Sequence, residues 1–149
     1  STRLVYTHML QRDDFLNPAA PGEADQILME LGDPKDSFNL NTDFAIGKFK
    51  LGYQLRYIGK MVLNFYEDTY SLQGNPPTNE DYANVRFYGE VFYHDVRASY
   101  DITDDVNVYL GLDNATNRIP PYGLTGTGAG SGIYESRGRF AYAGVRVQF

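Results

Sequence analysis

The sequence predicts an all-β, antiparallel fold whose strands cross a bilayer. Three observations predict it. Apolar side chains recur at every second position, the strand-like stretches are long, and the connections between them alternate between long and short. Strict alternation is the mark of a strand with two different faces. About six such stretches are readable, of roughly nine to twelve residues each, whereas strands of soluble proteins run to about five or six. Tilted strands of about nine to eleven residues are what a bilayer requires.

In chain order, the first stretch runs from roughly Arg3 to Arg12. Its facing is ambiguous, because Leu4, Tyr6 and Leu10 compete with Val5, Thr7 and Met9. A long connection, Asp13 to Asp36, follows. Within it Gln26 to Pro34 reads as one short helical turn stopped by Gly32 and Pro34. "SFNLNTDFAI" then sets Phe38, Leu40, Thr42, Phe44 and Ile46 against Ser37, Asn39, Asn41, Asp43 and Ala45. After a tight turn at Gly47, "KFKLGYQLRYIG" sets Phe49, Leu51, Tyr53, Leu55 and Tyr57 against Lys48, Lys50, Gly52, Gln54 and Arg56. Met61 to Tyr88 holds the second long connection. "FYHDVRASY" sets Phe92, His94, Val96, Ala98 and Tyr100 against Tyr93, Asp95, Arg97 and Ser99. "DITDD", Asp101 to Asp105, is a tight turn whose aspartates are expected to bond their own backbone. "VNVYLGLDN" sets Val106, Val108, Leu110 and Leu112 against Asn107, Tyr109, Gly111 and Asp113. Thr116 to Arg137 is the third long connection. The last stretch sets Ala141, Ala143, Val145, Val147 and Phe149 against Phe140, Tyr142, Gly144, Arg146 and Gln148.

The two faces differ in chemistry. Phe92 and Tyr100 lie on one apolar face, as do Phe49 and Tyr57, and only Val, Leu, Ala and neutral polar residues lie between them. Their spacing spans roughly 20 Å of tilted strand, close to the ~25 Å apolar band that aromatic girdles border in membrane barrels. The charged strand residues Asp43, Lys48, Lys50, Arg56, Asp95, Arg97, Asp113 and Arg146 all fall on the other face. A wet or plugged lumen accounts for that. Alternating long and short connections are likewise the pattern of an outer-membrane barrel, with loops on one side and turns on the other.

Composition agrees. A length of 149 residues fits one ordinary domain or a piece of a larger one. Thirteen Tyr outnumber nine Phe, with no Trp, and so point to rings that need one wet end. A net charge of −6 argues against nucleic-acid binding by general electrostatics. The absence of cysteine removes disulfide and thiol chemistry. No apolar run reaches the length of about eighteen residues needed for a transmembrane helix. A mean hydropathy of −0.43 does not argue against barrel strands, which average out their two faces. The opening "STRLVYTHMLQRD" lacks the regions of a signal peptide, so a leader has been removed or the chain is part of something longer.

"VNVYLGLDNATNRIPPYG", the glycine-rich stretch after it and "SRGRFAYAGVRVQF" resemble the C-terminal end of TonB-dependent outer-membrane receptors. "LGDPKDSFNLNTDF" and "LGYQLRYIGK" resemble the preceding strands of the same family. The resemblance implies that residues 1–149 are the C-terminal part of the receptor β-barrel domain, about the last six strands of a barrel of about twenty-two around a plug. The plug, and the N-terminal part through which such receptors reach the TonB complex, are absent from this chain. With the C-terminus periplasmic, the tight turns are periplasmic and the long loops extracellular. Lys48, Lys50, Arg56, Asp95, Arg97, Asp113 and Arg146 are then expected to line the lumen against the plug, with lipid and lipopolysaccharide outside. Gly144, Val147 and Phe149 match the signal read by the barrel-assembly machinery, with Tyr142 standing where that signal prefers a polar residue. The implied function is active import of a siderophore, cobalamin or oligosaccharide across the bacterial outer membrane.

Two other readings stand beside it. A passive outer-membrane porin or small closed barrel needs at least about eight strands, more than are counted. A soluble sugar-binding β-sandwich would bury the apolar stripe. No enzyme is expected, since no His-supported Ser or Cys nucleophile is recognisable. No cofactor or metal is expected either. His8 and His94 are the only histidines and no cluster accompanies them; His94 reads as part of the interfacial belt. "DITDDVN" lacks the length, the glycine bend and the late Glu of a calcium loop. "TGTGAGSG" lacks the strand–loop–helix context of a phosphate cradle and reads as an open extracellular loop. Asn114-Ala115-Thr116 reads as a strand end. Glu67-Asp68 and Glu80-Asp81 read as solvated or ligand-facing. The ligand-contact candidates are the loop tyrosines Tyr66, Tyr70, Tyr82, Tyr122 and Tyr134, rings able to stack on sugars or chelates.

Overall fold

The structure is a computed structural model that describes all residues except 16, 21, 23, 63–86 and 122–130. Among the described residues the period-two pattern becomes ten strands. They are β1 (Thr2–His8), β2 (Asp13–Asp14), β3 (Asp25–Gln26), β4 (Asp36–Ile46), β5 (Phe49–Ile58), β6 (Met61–Val62), β7 (Phe87–Tyr88), β8 (Val91–Asp101), β9 (Val106–Asp113) and β10 (Phe140–Val147), with a single 3₁₀ turn at Ser131–Ile133. The six longer strands form one sheet in the order β1-β4-β5-β8-β9-β10, and β2–β3 and β6–β7 form two small ribbons. The chain divides into two compact units, one of Ser1–Tyr6, Phe38–Tyr57 and Val91–Phe149, the other of Thr7–Ser37 and Ile58–Glu90.

In the first unit the register keeps each face chemically uniform. Val147 pairs with Val106, Val145 with Val108, Ala143 with Leu110 and Ala141 with Leu112. Tyr100, Ala98 and Val96 of β8 continue that face opposite Val108, Leu110 and Leu112. The face is exposed: Leu110 retains 58% and Val145 63% of their surface. A sandwich would have covered this stripe with a second layer.

The facing of β1 follows from its pairing. The Ser1 amine donates to the Asp43 carbonyl at 2.7 Å, and the Asp43 amide donates to the Ser1 carbonyl at 2.8 Å. Thr2 Oγ1 lies 3.4 Å from Thr42 Oγ1. Residues directly opposite share a face, so Thr2, Leu4 and Tyr6 join Thr42, Leu40 and Phe38 on the apolar side. The strand stops at His8, short of Arg12, because the partner strand β4 starts at Asp36.

Rings gather where the sequence placed them. Tyr57 stacks on Phe38, with centroids 5.0 Å apart and planes at 18°, and meets Phe92 at 4.9 Å and 45°. Such pairs contribute about 0.5–1.5 kcal/mol each beyond their buried area. Phe49 and Tyr100 stand exposed towards the other ends of β5 and β8. Between these two levels Tyr53 Oη and His94 Nδ1 share a hydrogen bond of 2.7 Å. Each thereby satisfies a polar atom that would be costly on an apolar face.

The two tight turns differ in construction. Gly47 and Lys48 alone connect β4 to β5, and Gly47 takes φ 57, with glycine first as in a type II′ hairpin. In the turn after β8, the Ile102 and Thr103 amides both donate to the Val106 carbonyl, at 2.9 and 3.2 Å. The side chain that caps this turn is Thr103, whose Oγ1 accepts from the Asp105 amide at 3.3 Å. Asp101 does not bond its own backbone there. Its carboxylate accepts from Asn107 Nδ2 at 2.6 Å and Lys50 Nζ at 3.0 Å.

The second unit buries Leu28, Ile58, Met61 and Val62. The helical turn expected between Gln26 and Pro34 is not formed. Glu30 N donates to Ile27 O at 3.1 Å and Asp33 N to Glu30 O at 2.9 Å. Met29 and Gly32 adopt φ 73 and 113, left-handed values an α-helix does not accept. The loop is held instead by Val62 N on Met29 O at 2.6 Å and by Arg12 on Asp33 at 2.9 Å.

Candidate functional site

The charged residues singled out in the sequence share the polar face, and the register distributes them along it. Lys48 and Lys50 lie with Arg146 and Asp101 around an open cavity of about 560 Å³ at the tight-turn end. Lys48 Nζ donates to the Ile102 carbonyl at 3.1 Å. Further along, Arg97 reaches Asp43 at 3.1 Å, although β5 runs between their strands. The reach is open because Gly52 stands in between. A Cβ at Gly52 would fall inside contact distance of the Arg97 side chain. Gly52→Val is therefore expected to push the flexible Arg97 side chain off Asp43 and cost up to about 1 kcal/mol, the worth of an exposed pair. Urea titration of the refolded protein in detergent should show this, and Arg97→Ala in the same chain should recover most of it. An equal loss in the Arg97→Ala background would mean that the clash is elsewhere.

At the other end of the strands, Arg56, Asp95 and Asp113 line a cavity of about 270 Å³ together with Gln54, Tyr93, Asn114, Glu135 and Arg137. Glu135 is its organiser. Its carboxylate receives Arg56 Nη2 at 3.5 Å and Arg137 Nε at 3.6 Å. Its backbone amide donates to Tyr93 Oη at 3.0 Å. The Arg56 guanidinium sits 4.6 Å over the Tyr93 ring. Asn114 closes the site from the end of β9. Only 1% exposed, it has φ 47, a left-handed conformation that Asn tolerates. Its amide donates to Asp95 Oδ1 at 2.7 Å. Its side chain bridges the backbone of Arg118, accepting from the amide and donating to the carbonyl, both at 2.7 Å. Asn117 Oδ1 then accepts from the Arg139 amide at 2.9 Å, joining the two limbs of the third long connection.

Reading the sequence missed Glu135, Tyr93 and Asn114 as organising residues. Asn114 carried a signal, an Asn directly after a strand where left-handed backbone is common. Glu135 carried none, because a Glu in a loop reads as solvated. Of the ligand-contact candidates, Tyr134 is buried in the first unit; Tyr66, Tyr70, Tyr82 and Tyr122, with Glu67-Asp68 and Glu80-Asp81, lie outside the described residues. Gly144 and Val147 fall on opposite faces of β10, and Phe149 follows the strand, exposed. His94 is partnered by Tyr53 on the apolar face, the side opposite to Tyr93. Among the described residues no group of His, Cys, Asp or Glu side chains is placed to hold a metal ion.

The face so built is polar, and most of its cations have anions within the wall. Exposed pairs of this kind contribute only about 0.2–1 kcal/mol each. Their chemistry suits a hydrated interior or a polar partner.

No protein-family model matches the chain, and no curated protein matches it in sequence. Three solved structures match its fold. The siderophore receptor PirA from Acinetobacter baumannii is 16% identical with a TM-score of 0.63, and the match covers 99% of this chain and 20% of the receptor. A mutant of the ferric enterobactin receptor PfeA from Pseudomonas aeruginosa is 18% identical with a TM-score of 0.60, covering 99% and 20%. The outer-membrane receptor FpvA from Pseudomonas aeruginosa, solved with pyoverdine bound, is 19% identical with a TM-score of 0.61, covering 99% and 19%. The chain thus spans about a fifth of the length of the receptors it resembles. Its fold is that of an antiparallel segment of the β-barrel of outer-membrane siderophore receptors.

Proposed function

We infer that this chain is the C-terminal wall segment of a TonB-dependent active importer in the bacterial outer membrane. The observation that carries the reading is the exposed apolar face set against a charged face, in a chain that matches a receptor structure over 99% of its length. On this reading Val108, Leu110 and Val145 meet lipid and lipopolysaccharide. Lys48, Lys50, Arg56, Asp95, Arg97, Asp113 and Arg146 face the lumen and the plug. The remaining strands of the barrel cover the free edges of β1 and β10, which lipid would otherwise leave unsatisfied. The barrel-assembly machinery reads Gly144, Val147 and Phe149, and the TonB complex acts through an N-terminal part outside residues 1–149. A ferric siderophore stands ahead of cobalamin or an oligosaccharide as the ligand class, since the three similar structures are siderophore receptors.

The test uses the complete gene product in its host. It is expected in the outer-membrane fraction, with uptake of radiolabelled ferric siderophore lost both on gene deletion and on collapse of the proton gradient by a protonophore. Gene-dependent uptake that persists without the gradient would replace active import by a passive pore. Recovery of the protein from the soluble fraction would remove both.

A further inference from the structure

The last hairpin, β9–β10, has an apolar face that does not specify its register. Its pairs are Ala141 with Leu112, Ala143 with Leu110, Val145 with Val108 and Val147 with Val106. A slip by two residues keeps every side chain on its face and only exchanges one apolar pair for another. Specification must come from the polar face. There, Tyr142 stands opposite Gly111, and Tyr109 stands opposite Gly144. In both pairs the ring occupies the space over the glycine. A Cβ on Gly111 would run into Cζ, Oη and Cε2 of Tyr142, and one on Gly144 would run into Cζ, Oη and Cε1 of Tyr109. The two pairs are adjacent on the face and reciprocal, each strand supplying one ring and one glycine.

The geometry points to Tyr109 and Tyr142 as positioning residues that set the register of the terminal hairpin by seating in the glycine slots of the facing strand. Only the observed register fills both slots. Slipping β10 one way puts Gly144 opposite Gly111, which leaves both slots empty and sets Tyr142 against Asp113 and Arg146 against Tyr109. Slipping it the other way puts Tyr142 directly opposite Tyr109, where two rings compete for one space. Each tyrosine thus excludes a wrong pairing as well as supporting the right one. The same geometry gives Gly144 a packing role independent of any recognition of the C-terminus, and it gives Tyr142 a reason to occupy a position where the assembly signal prefers a polar residue.

The chain contains no cysteine, so register can be read by disulfide trapping. Directly opposite strand residues lie within disulfide reach, whereas a partner displaced by two residues lies at about 7–8 Å between Cα atoms, beyond it. In the complete protein folded into the outer membrane, Val108→Cys with Val145→Cys reports the observed register. Val108→Cys with Val147→Cys, or with Ala143→Cys, reports the two slips. The native pair alone is expected to crosslink in the otherwise unchanged chain and in the Tyr109→Phe, Tyr142→Phe double variant, which keeps both rings. With Tyr109→Ala and Tyr142→Ala together, a slipped pair should crosslink to an extent comparable with the native pair. Gly144→Ala should lower native crosslinking, and adding Tyr109→Ala should restore it. Crosslinking confined to the native pair in the double alanine variant would overturn the assignment. So would failure of Tyr109→Ala to relieve Gly144→Ala, which would leave recognition as the sole reason for the glycine. Trapping reads pairing and not transport, so a failure of the importer reading is seen separately.

Discussion

Replacing Leu112 by arginine is expected to destabilise the folded protein in the membrane by about 2–4 kcal/mol and lower its folded yield, whereas Gln54→Arg is tolerated. Leu112 lies opposite Val96 on one side and Ala141 on the other. Val96 is midway between Phe92 and Tyr100, so on the proposed reading, in which those rings border the apolar band, the substitution places a cation near the centre of the hydrocarbon. The two side chains directly opposite, Val96 and Ala141, offer it no acceptor. A charge at that depth costs about 2–4 kcal/mol, a large part of the stability of an ordinary domain. Gln54 lies at a similar level on the opposite face, in a cavity it shares with Asp95 and Asp113, and an arginine there gains carboxylates. Heat-modifiable gel mobility after refolding into lipid vesicles measures both. If Leu112→Arg folds as well as Gln54→Arg, the apolar face does not meet lipid.

Asn114→Ala is expected to lose about 2–5 kcal/mol locally. It removes both side-chain bonds to the Arg118 backbone, each contributing about 0.5–1.5 kcal/mol. It also forces alanine into the left-handed backbone at φ 47, at a cost of about 1–2 kcal/mol. Asn114→Gly relieves the second penalty only, so it should fall between the two. The effect is local because Asn114 ties the base of a loop. Proteolysis should therefore accelerate between Ala115 and Glu135 while the global unfolding midpoint moves less. Equal protection of the alanine variant and the unchanged chain would show that the loop base is held by other contacts.

Much of the sheet was legible because its information is local. The alternation of Val106 to Asp113 and of Phe38 to Ile46 reads directly as two faces, and pairing then carries that assignment across the sheet. The facing of β1 was not legible, because Arg3 to Met9 mixes apolar and polar residues on both parities. A partner fixed it, through Ser1 on Asp43 and Thr2 beside Thr42. The segment from Gln26 to Pro34 misled for a related reason. Its composition favours helix, but the left-handed backbone at Met29 follows from its contacts with Asp33 and Val62. The upper cavity shows the same limit. Arg56, Asp95 and Asp113 were visible as charges on one face, but their meeting with Glu135 spans 79 residues of sequence from Arg56, and no pattern of spacing encodes it.

At the tight-turn end, Asp101 N reaches Lys48 O at 3.0 Å and Gln148 N reaches Asp105 O at 2.9 Å, while Lys50 ties Asp101 across the strands. Neighbouring hairpins are thus stitched to one another at this end. Pulling one strand away at that end would have to break backbone bonds and the Lys50–Asp101 pair together, so the short connections make that rim of the sheet act as one piece.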